Sequence, residues 1–248
     1  MLSRLFGPQG RVPDSETVYA IGDIHGRLDL LSQLHDMIER ELASAPRGLN
    51  ATVVYLGDYL DRGPESKGVI DRLLDRPIEG ARSIFLKGNH EDAMLRFLRG
   101  ESGAEGWLAI GGDMTARSYG VSLGARTETL SPGAIRARLI EAVPQKHLAF
   151  LQGLRLSHEV GDYFFVHAGI RPDRPLEDQD PMDLLWIRRE FLQSRQRHGK
   201  IVVHGHSAGR TVVEKSNRIC VDTAAYATGH LTCVVLENDR RRFISTDP

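Results

Sequence analysis

The sequence predicts an α/β fold in which two mixed β-sheets pack face to face with helices outside them. Three observations carry that prediction: a strand–turn–helix unit repeated through the first hundred residues, a second half richer in strands, and polar residues gathered where the strands end.

The unit first appears as the run Val18–Ile21, then Gly22-Asp23, then a helical stretch from Leu28 to about Leu42 with apolar residues at helical spacing. It returns as Thr52–Leu56, Gly57-Asp58 and a helix over Ser66–Leu74. A third copy runs Ser83–Leu86, Gly88-Asn89-His90 and a helix over Glu91–Leu98. Residues 100–152 read as helical but irregular, interrupted by Gly103, Gly106, Gly111, Gly112, Gly120 and Gly124. The later strands are Tyr163–Val166, Ile201–Val203, Thr211–Val213, Ile219–Val221 and Leu231–Leu236, with a helix over Pro181–Gln193 between the first two. No linker or repeat divides the chain, so residues 16–248 are expected to form one domain behind a flexible segment over residues 1–15.

Composition narrows the function. The 248 residues are 41% hydrophobic and 26% charged, which suits a globular domain able to bury its own core. Lys plus Arg is 32 and Asp plus Glu is 33, for a net charge of -1, which gives no electrostatic ground for a nucleic-acid or membrane-surface partner. Cys220 and Cys233 form no CxxC pair and fall in predicted strands, where they read as core residues of a protein in a reducing compartment. The N-terminus lacks the apolar core of a signal peptide, and no run approaches the roughly 20 apolar residues of a membrane span. A cytoplasmic location is expected; the sequence leaves the oligomeric state open.

In open α/β sheets, ligands bind beyond the carboxyl ends of the strands. Five such ends carry metal-ligand residue types here: Gly22-Asp23-Ile24-His25-Gly26, Gly57-Asp58-Tyr59-Leu60-Asp61-Arg62-Gly63, Gly88-Asn89-His90-Glu91, His167-Ala168-Gly169 and His204-Gly205-His206. A lone Gly-Asp after a strand is more often a turn, and a lone His more often a structural residue. Five in succession are not explained that way. Carboxylate, amide and imidazole ligands without thiolate suit Mn, Fe, Zn or Ni. A pair of such ions can activate water and hold the oxygens of an in-line displacement. Arg62 could add a bidentate fork for phosphate oxygens, against the plainer reading of a surface ion pair.

At these residues the chain resembles the metal-dependent phosphoprotein phosphatase family within the calcineurin-like metallophosphoesterases, whose pattern GDxHG, GDxxDRG, GNHE, HAG, GH runs in order from Gly22 to His206. Trp107 to Gly112 with Thr115 and Ser118-Tyr119-Gly120 resembles the region bacterial members carry after GNHE. Asp222-Thr223-Ala224-Ala225 with Gly229 to Thr232 resembles the closing DTGA…GxLT segment, with Ala224 where the family usually has Gly. The resemblance implies an αββα sandwich with two divalent metal ions, manganese first among the candidates. It implies that Asp23, His25 and Asp58 bind one ion, and that Asp58 bridges to a second completed by Asn89, His167 and His206. His206 is preferred to His204 because the family ligand follows a Gly. The resemblance also makes His90 the general acid, Asp61 its orienting carboxylate and Arg62 the phosphate-binding arginine. Arg188 is the candidate second arginine, ahead of Arg189 and Arg171. His35, His147, His158, His198 and His230 are read as surface or structural.

The activity implied is hydrolysis of phosphoserine and phosphothreonine in proteins or peptides, with residues 100–152 shaping the substrate groove. The alternative is a hydrolase splitting dinucleoside tetraphosphates symmetrically, a group that shares most of these motifs. It typically lacks the Asp of GDxxDRG and has Asp after GNH, so Asp61 and Glu91 favour the phosphatase. A binding scaffold that has lost its chemistry should lack a ligand or the acid, and none is missing.

Overall fold

The computed structural model describes residues 10–45, 48–125 and 128–247. The first part of the chain runs β1 (Glu16–Ile21), α1 (Leu28–Ser44), β2 (Asn50–Tyr55), α2 (Ser66–Asp75), β3 (Ala81–Phe85) and α3 (Asn89–Arg99). A π-helical turn, Leu108–Gly112, leads into α4 (Asp113–Ser118), the small pair β4 (Gly124–Ala125) and β5 (Glu128–Thr129), then α5 (Pro132–Ala142) and α6 (Gln145–Gln152). The second half runs β6 (Ser157–Val160), β7 (Tyr163–Val166), α7 (Pro181–Trp186), α8 (Arg189–Gln193), β8 (Ile201–His204), β9 (Val213–Glu214) and β10 (Arg218–Cys220). It closes with α9 (Ala225–Thr228), β11 (Thr232–Glu237) and β12 (Arg240–Ser245).

One sheet has the order β12-β11-β1-β2-β3 and the other β6-β7-β8-β10-β9. The strands that carry site loops, β1, β2 and β3 in the first and β7 and β8 in the second, are parallel within each sheet. Alternation along β1 shows why its run is apolar throughout. Val18 and Ala20 join Val54, Leu56 and Ile84 against Tyr163, Phe165, Ile201 and Val203 of the other sheet. Tyr19 and Ile21, with Val53 and Tyr55, face Leu31, Leu34 and Ile38 of α1 and Val69 and Ile70 of α2. On the far side, Phe164, Val166 and Val202 pack against Leu184, Ile187 and Phe191. The result is the expected layering of helices, sheet, sheet and helices.

Several details differ from the sequence reading. The helix expected over Pro181–Gln193 is two short helices, because Ile187 turns extended (ψ 141°) and Arg188 follows at φ -133°. An unbroken helix burying Leu184 would also bury the residue four further on, Arg188. The break puts Ile187 inside and leaves Arg188 exposed. Helix α3 begins two residues earlier than expected, so Asn89 and His90 sit in its first turn. Strands β6 and β12 were not anticipated. Of the segment expected to be flexible, residues 1–9 lie outside the described residues. Residues 10–15 are held against the sandwich, with Val12 buried and its N–H donating to the Asn238 carbonyl at 2.9 Å. Among the described residues no helix is long and apolar enough to cross a membrane.

Candidate metal centre

The five strand-end loops meet at one place. Of the seven non-glycine residues with positive φ among the described residues, five are His25, Asp58, Asp61, Arg62 and His206, and a sixth is Ala224. Left-handed backbone is costly for such residues and gathers where the surroundings enforce it, commonly at functional sites. Close approach adds a second constraint. A Cβ on Gly205 would lie 2.0 Å from Asp23 Oδ1, and one on Gly88 would lie 2.1 Å from Asp58 Oδ1.

Two clusters result, both buried: His25, Asp58 and His90, and Asp58, His167 and His206. Asp58 is common to both. Its Oδ2 is 3.5 Å from His25 Nε2 and 3.8 Å from His90 Nε2, and its Oδ1 is 3.4 Å from His167 Nε2. Backbone carbonyls fix the imidazoles: His25 Nδ1–H donates to Leu60 O at 2.8 Å and His167 Nδ1–H to Leu56 O at 2.9 Å. Each ring therefore turns an unprotonated Nε2 toward Asp58. Asn89 Oδ1 sits between His167 Nε2 at 2.9 Å and His206 Nδ1 at 2.8 Å. Asp23 accepts the His206 backbone N–H through both oxygens, at 3.2 and 3.0 Å.

This donor set fits divalent cations. The Nε2 atoms of His25 and His206 are buried without a hydrogen-bond partner, and His25 Nε2 faces Asp58 Oδ2 at 3.5 Å with no proton between them. Burial lowers His25 to about 3 and His206 to about 2, so both rings are neutral and able to ligate. Burial, then Asp222 and Asp58, push Asp23 well above the carboxylate range, a repulsion that a cation among these groups would relieve. Burial also opposes charge on Asp58, but on acidification the protonated rings of His167, His90, His25 and His206 outweigh it and hold Asp58 low. His204 Nε2 is also unpartnered, yet that ring stacks edge-on against Phe191 at 5.0 Å and belongs to neither cluster.

Beside the clusters, His90 Nδ1–H donates to Asp61 Oδ2 at 2.6 Å, and Arg62 Nη2–H donates to His90 Nε2 at 3.1 Å. Burial alone would lower His90, but Asp58 and Asp61 raise it above its ordinary value. Burial likewise pushes Asp61 up, against the bonds from His90, Thr115 and Trp107 that favour its charge. We place the shared proton on His90, because two other side-chain donors, Trp107 and Thr115, already point at the Asp61 carboxylate. Arg62 also lies 4.8 Å over the ring of Tyr226, which stacks edge-on against His25 at 5.4 Å. Burial lowers His167 and His206, with a lesser contribution from the charge of Arg188, which is exposed just ahead of α8. Arg171 is committed elsewhere, donating to Asp183 from Nε at 2.9 Å and Nη2 at 2.5 Å.

Sequence reasoning missed what holds the loops. Glu91 Oε1 accepts from the N–H groups of Tyr59 at 2.8 Å and Leu60 at 3.3 Å, and Oε2 accepts from those of Asp58 and Gly88 at 2.9 Å. Burial and then Asp58 push Glu91 up to about 8, while four backbone donors favour its charged form. Its place three residues after the helix cap was the available signal. His35 and His147, read as structural, are buried and bonded to the hydroxyls of Tyr55 and Tyr119. Cys220 and Cys233 are buried free thiols.

Ala224 holds φ +54° where the resembling family usually has Gly. Alanine there costs roughly 1 kcal/mol against glycine. Ala224→Gly is therefore expected to raise Tm by about 2–4 °C in scanning calorimetry. A lower Tm would show that the left-handed turn carries no strain.

The family model for the calcineurin-like phosphoesterases matches residues 16–231. Bis(5′-nucleosyl)-tetraphosphatase PrpE (asymmetrical) of Anoxybacillus flavithermus is 24% identical over 233 residues, spanning 86% of this chain and 88% of that protein. Serine/threonine-protein phosphatase 1 of Salmonella typhimurium is 28% identical over 223 residues, spanning 87% of this chain and 89% of that protein. A crystal structure of a candidate diadenosine tetraphosphatase superposes with TM-score 0.64 at 23% identity, over 94% of this chain and 95% of that one, and shares the fold.

Proposed function

The chain belongs to the calcineurin-like phosphoesterase family, and from that premise we propose that it hydrolyses phosphomonoesters of serine and threonine in proteins or peptides, using two divalent metal ions, manganese foremost. Asp23, His25 and Asp58 would hold one ion and Asp58, Asn89, His167 and His206 the other. When bound, such ions supply an activated water and stabilise charge on the phosphoryl oxygens. The protein's own groups do the rest. Arg62 forks onto the phosphate, giving up its bond to His90, and Arg188 approaches from the side of the second cluster. His90, freed at Nε2, takes up a proton there from solvent, favoured by the charges of Asp58 and Asp61, and delivers that proton to the departing oxygen while its Nδ1–H stays on Asp61 and keeps the ring oriented.

The observation that carries the phosphomonoester reading is the 2.6 Å bond between His90 Nδ1 and Asp61 Oδ2. A serine or threonine alkoxide is a poor leaving group that needs a proton, whereas phosphate leaving from an anhydride needs it far less. The nucleotide reading is favoured by a different observation, the similarity to tetraphosphatases over most of the chain. A panel of phosphoserine peptide, phosphothreonine peptide and diadenosine tetraphosphate decides between them. We expect the peptides to give the highest kcat/KM. A dinucleotide value a hundredfold above the best peptide, about 2.7 kcal/mol of transition-state preference, would overturn the proposal.

A further inference from the structure

Residues 107–118 touch the loop after β2 and the first turn of α2 at four points spaced like one face of a helix. Trp107 Nε1–H donates to Asp61 Oδ2 at 2.8 Å, and the Gly111 carbonyl accepts the Arg62 N–H at 3.3 Å. Thr115 Oγ1–H donates to Asp61 Oδ1 at 2.6 Å, and Ser118 Oγ accepts the Lys67 N–H at 2.7 Å. Thr115 Oγ1 also accepts the Asp61 N–H at 2.9 Å and lies 2.9 Å from Ser66 Oγ. Its single hydroxyl proton goes to Asp61 Oδ1, so Ser66 is the donor between the two hydroxyls. Trp107 and Thr115 are buried.

These contacts hold a conformation the chain would not adopt unaided, since Asp61 and Arg62 stand at φ +72° and +66°. They also occupy both carboxylate oxygens. Asp61 Oδ2 receives Trp107 and His90 together, and Oδ1 receives Thr115, so the carboxylate cannot rotate without losing a charge-assisted bond. We infer that residues 107–118 form a template for the Asp61–His90 pair and Arg62, in which Trp107 and Thr115 are positioning residues for proton delivery to the leaving group.

The inference rests on the reading of His90 as the acid, and the experiment separates the two. Thr115→Val is nearly isosteric and removes the donor to Asp61, while Ser66 still accepts the Asp61 N–H at 3.0 Å. Turnover would be measured on an alkyl phosphate and on p-nitrophenyl phosphate, whose leaving group scarcely needs a proton. We expect Thr115→Val and Trp107→Phe each to lower kcat on the alkyl ester by about tenfold or more, the scale of one hydrogen bond to a charged group. On the aryl ester the loss should stay within about twofold, with KM unchanged on both. Thr115→Ser should restore the alkyl rate, and in an Asp61→Asn background Thr115→Val should add little further loss. Equal losses on both esters from Thr115→Val and Trp107→Phe, with His90→Asn still discriminating between them, would overturn the template alone. Equal losses from His90→Asn itself would overturn the acid assignment beneath it.

Discussion

Asp58→Asn is expected to lower kcat on an aryl phosphate by on the order of 10³ and to leave the purified protein deficient in bound metal. Asp58 is the group common to both clusters and lies within 3.8 Å of three imidazoles. Asparagine keeps an acceptor for the His90 N–H, 3.1 Å from Asp58 Oδ1, so the loop should keep its shape. What disappears is the negative charge that would serve two cations at once. Charge stabilisation by such ions amounts to several kcal/mol, and each ~1.4 kcal/mol is a factor of ten in rate. Metal analysis read beside activity checks this, with chelation expected to abolish turnover and Mn²⁺ to restore it best. Undiminished turnover by rigorously metal-free wild type would defeat the two-metal reading.

His90→Asn should lower kcat on phosphoserine peptide by about 10²–10⁴, the scale of a lost general acid, with KM little changed. The ring lies between Asp61 at 2.6 Å and Arg62 at 3.1 Å, so truncation removes the proton without removing the phosphate fork. On p-nitrophenyl phosphate the loss should be clearly smaller. If instead KM rises sharply while kcat holds, His90 serves binding and not proton transfer.

The strand-end loops were legible because the two sheet faces and the turns write themselves into sequence at short range. β1 and β2 are apolar on both faces over their last residues, β3 less so with Arg82 and Ser83, and each is followed within three residues by Gly beside a polar residue, a pattern that spans fewer than ten residues. The resemblance grouped Asp58 with Asn89, His167 and His206, but no local pattern does, because the contacts of Asn89 with His167 and His206 span 78 and 117 residues. The same holds for Glu91, whose four donors come from Asp58, Tyr59, Leu60 and its own helix start. Residues 100–152 read as helical, but the bonds from Trp107 and Thr115 to Asp61 span 46 and 54 residues and leave no local periodicity. The break at Ile187 escaped notice because a β-branched residue beside two arginines does not by itself stop a helix.

The two sheets contribute different halves of the centre. Asp23, Asp58, Asn89 and His90 follow strands of one sheet, and His167 and His206 follow strands of the other. What sets the gap between those halves is the apolar filling between the sheets, with Val18, Val54, Phe165, Val203 and Ile219 among its members. Such an interior is packed nearly as tightly as a crystal and transmits a change in one side chain as a displacement of the whole layer. Reacting groups tolerate far less displacement than a fold does. These valines and isoleucines therefore act as the spacers of a vernier: swapping their sizes would put the two half-sites out of alignment, and catalysis would fade while the protein still melted as one.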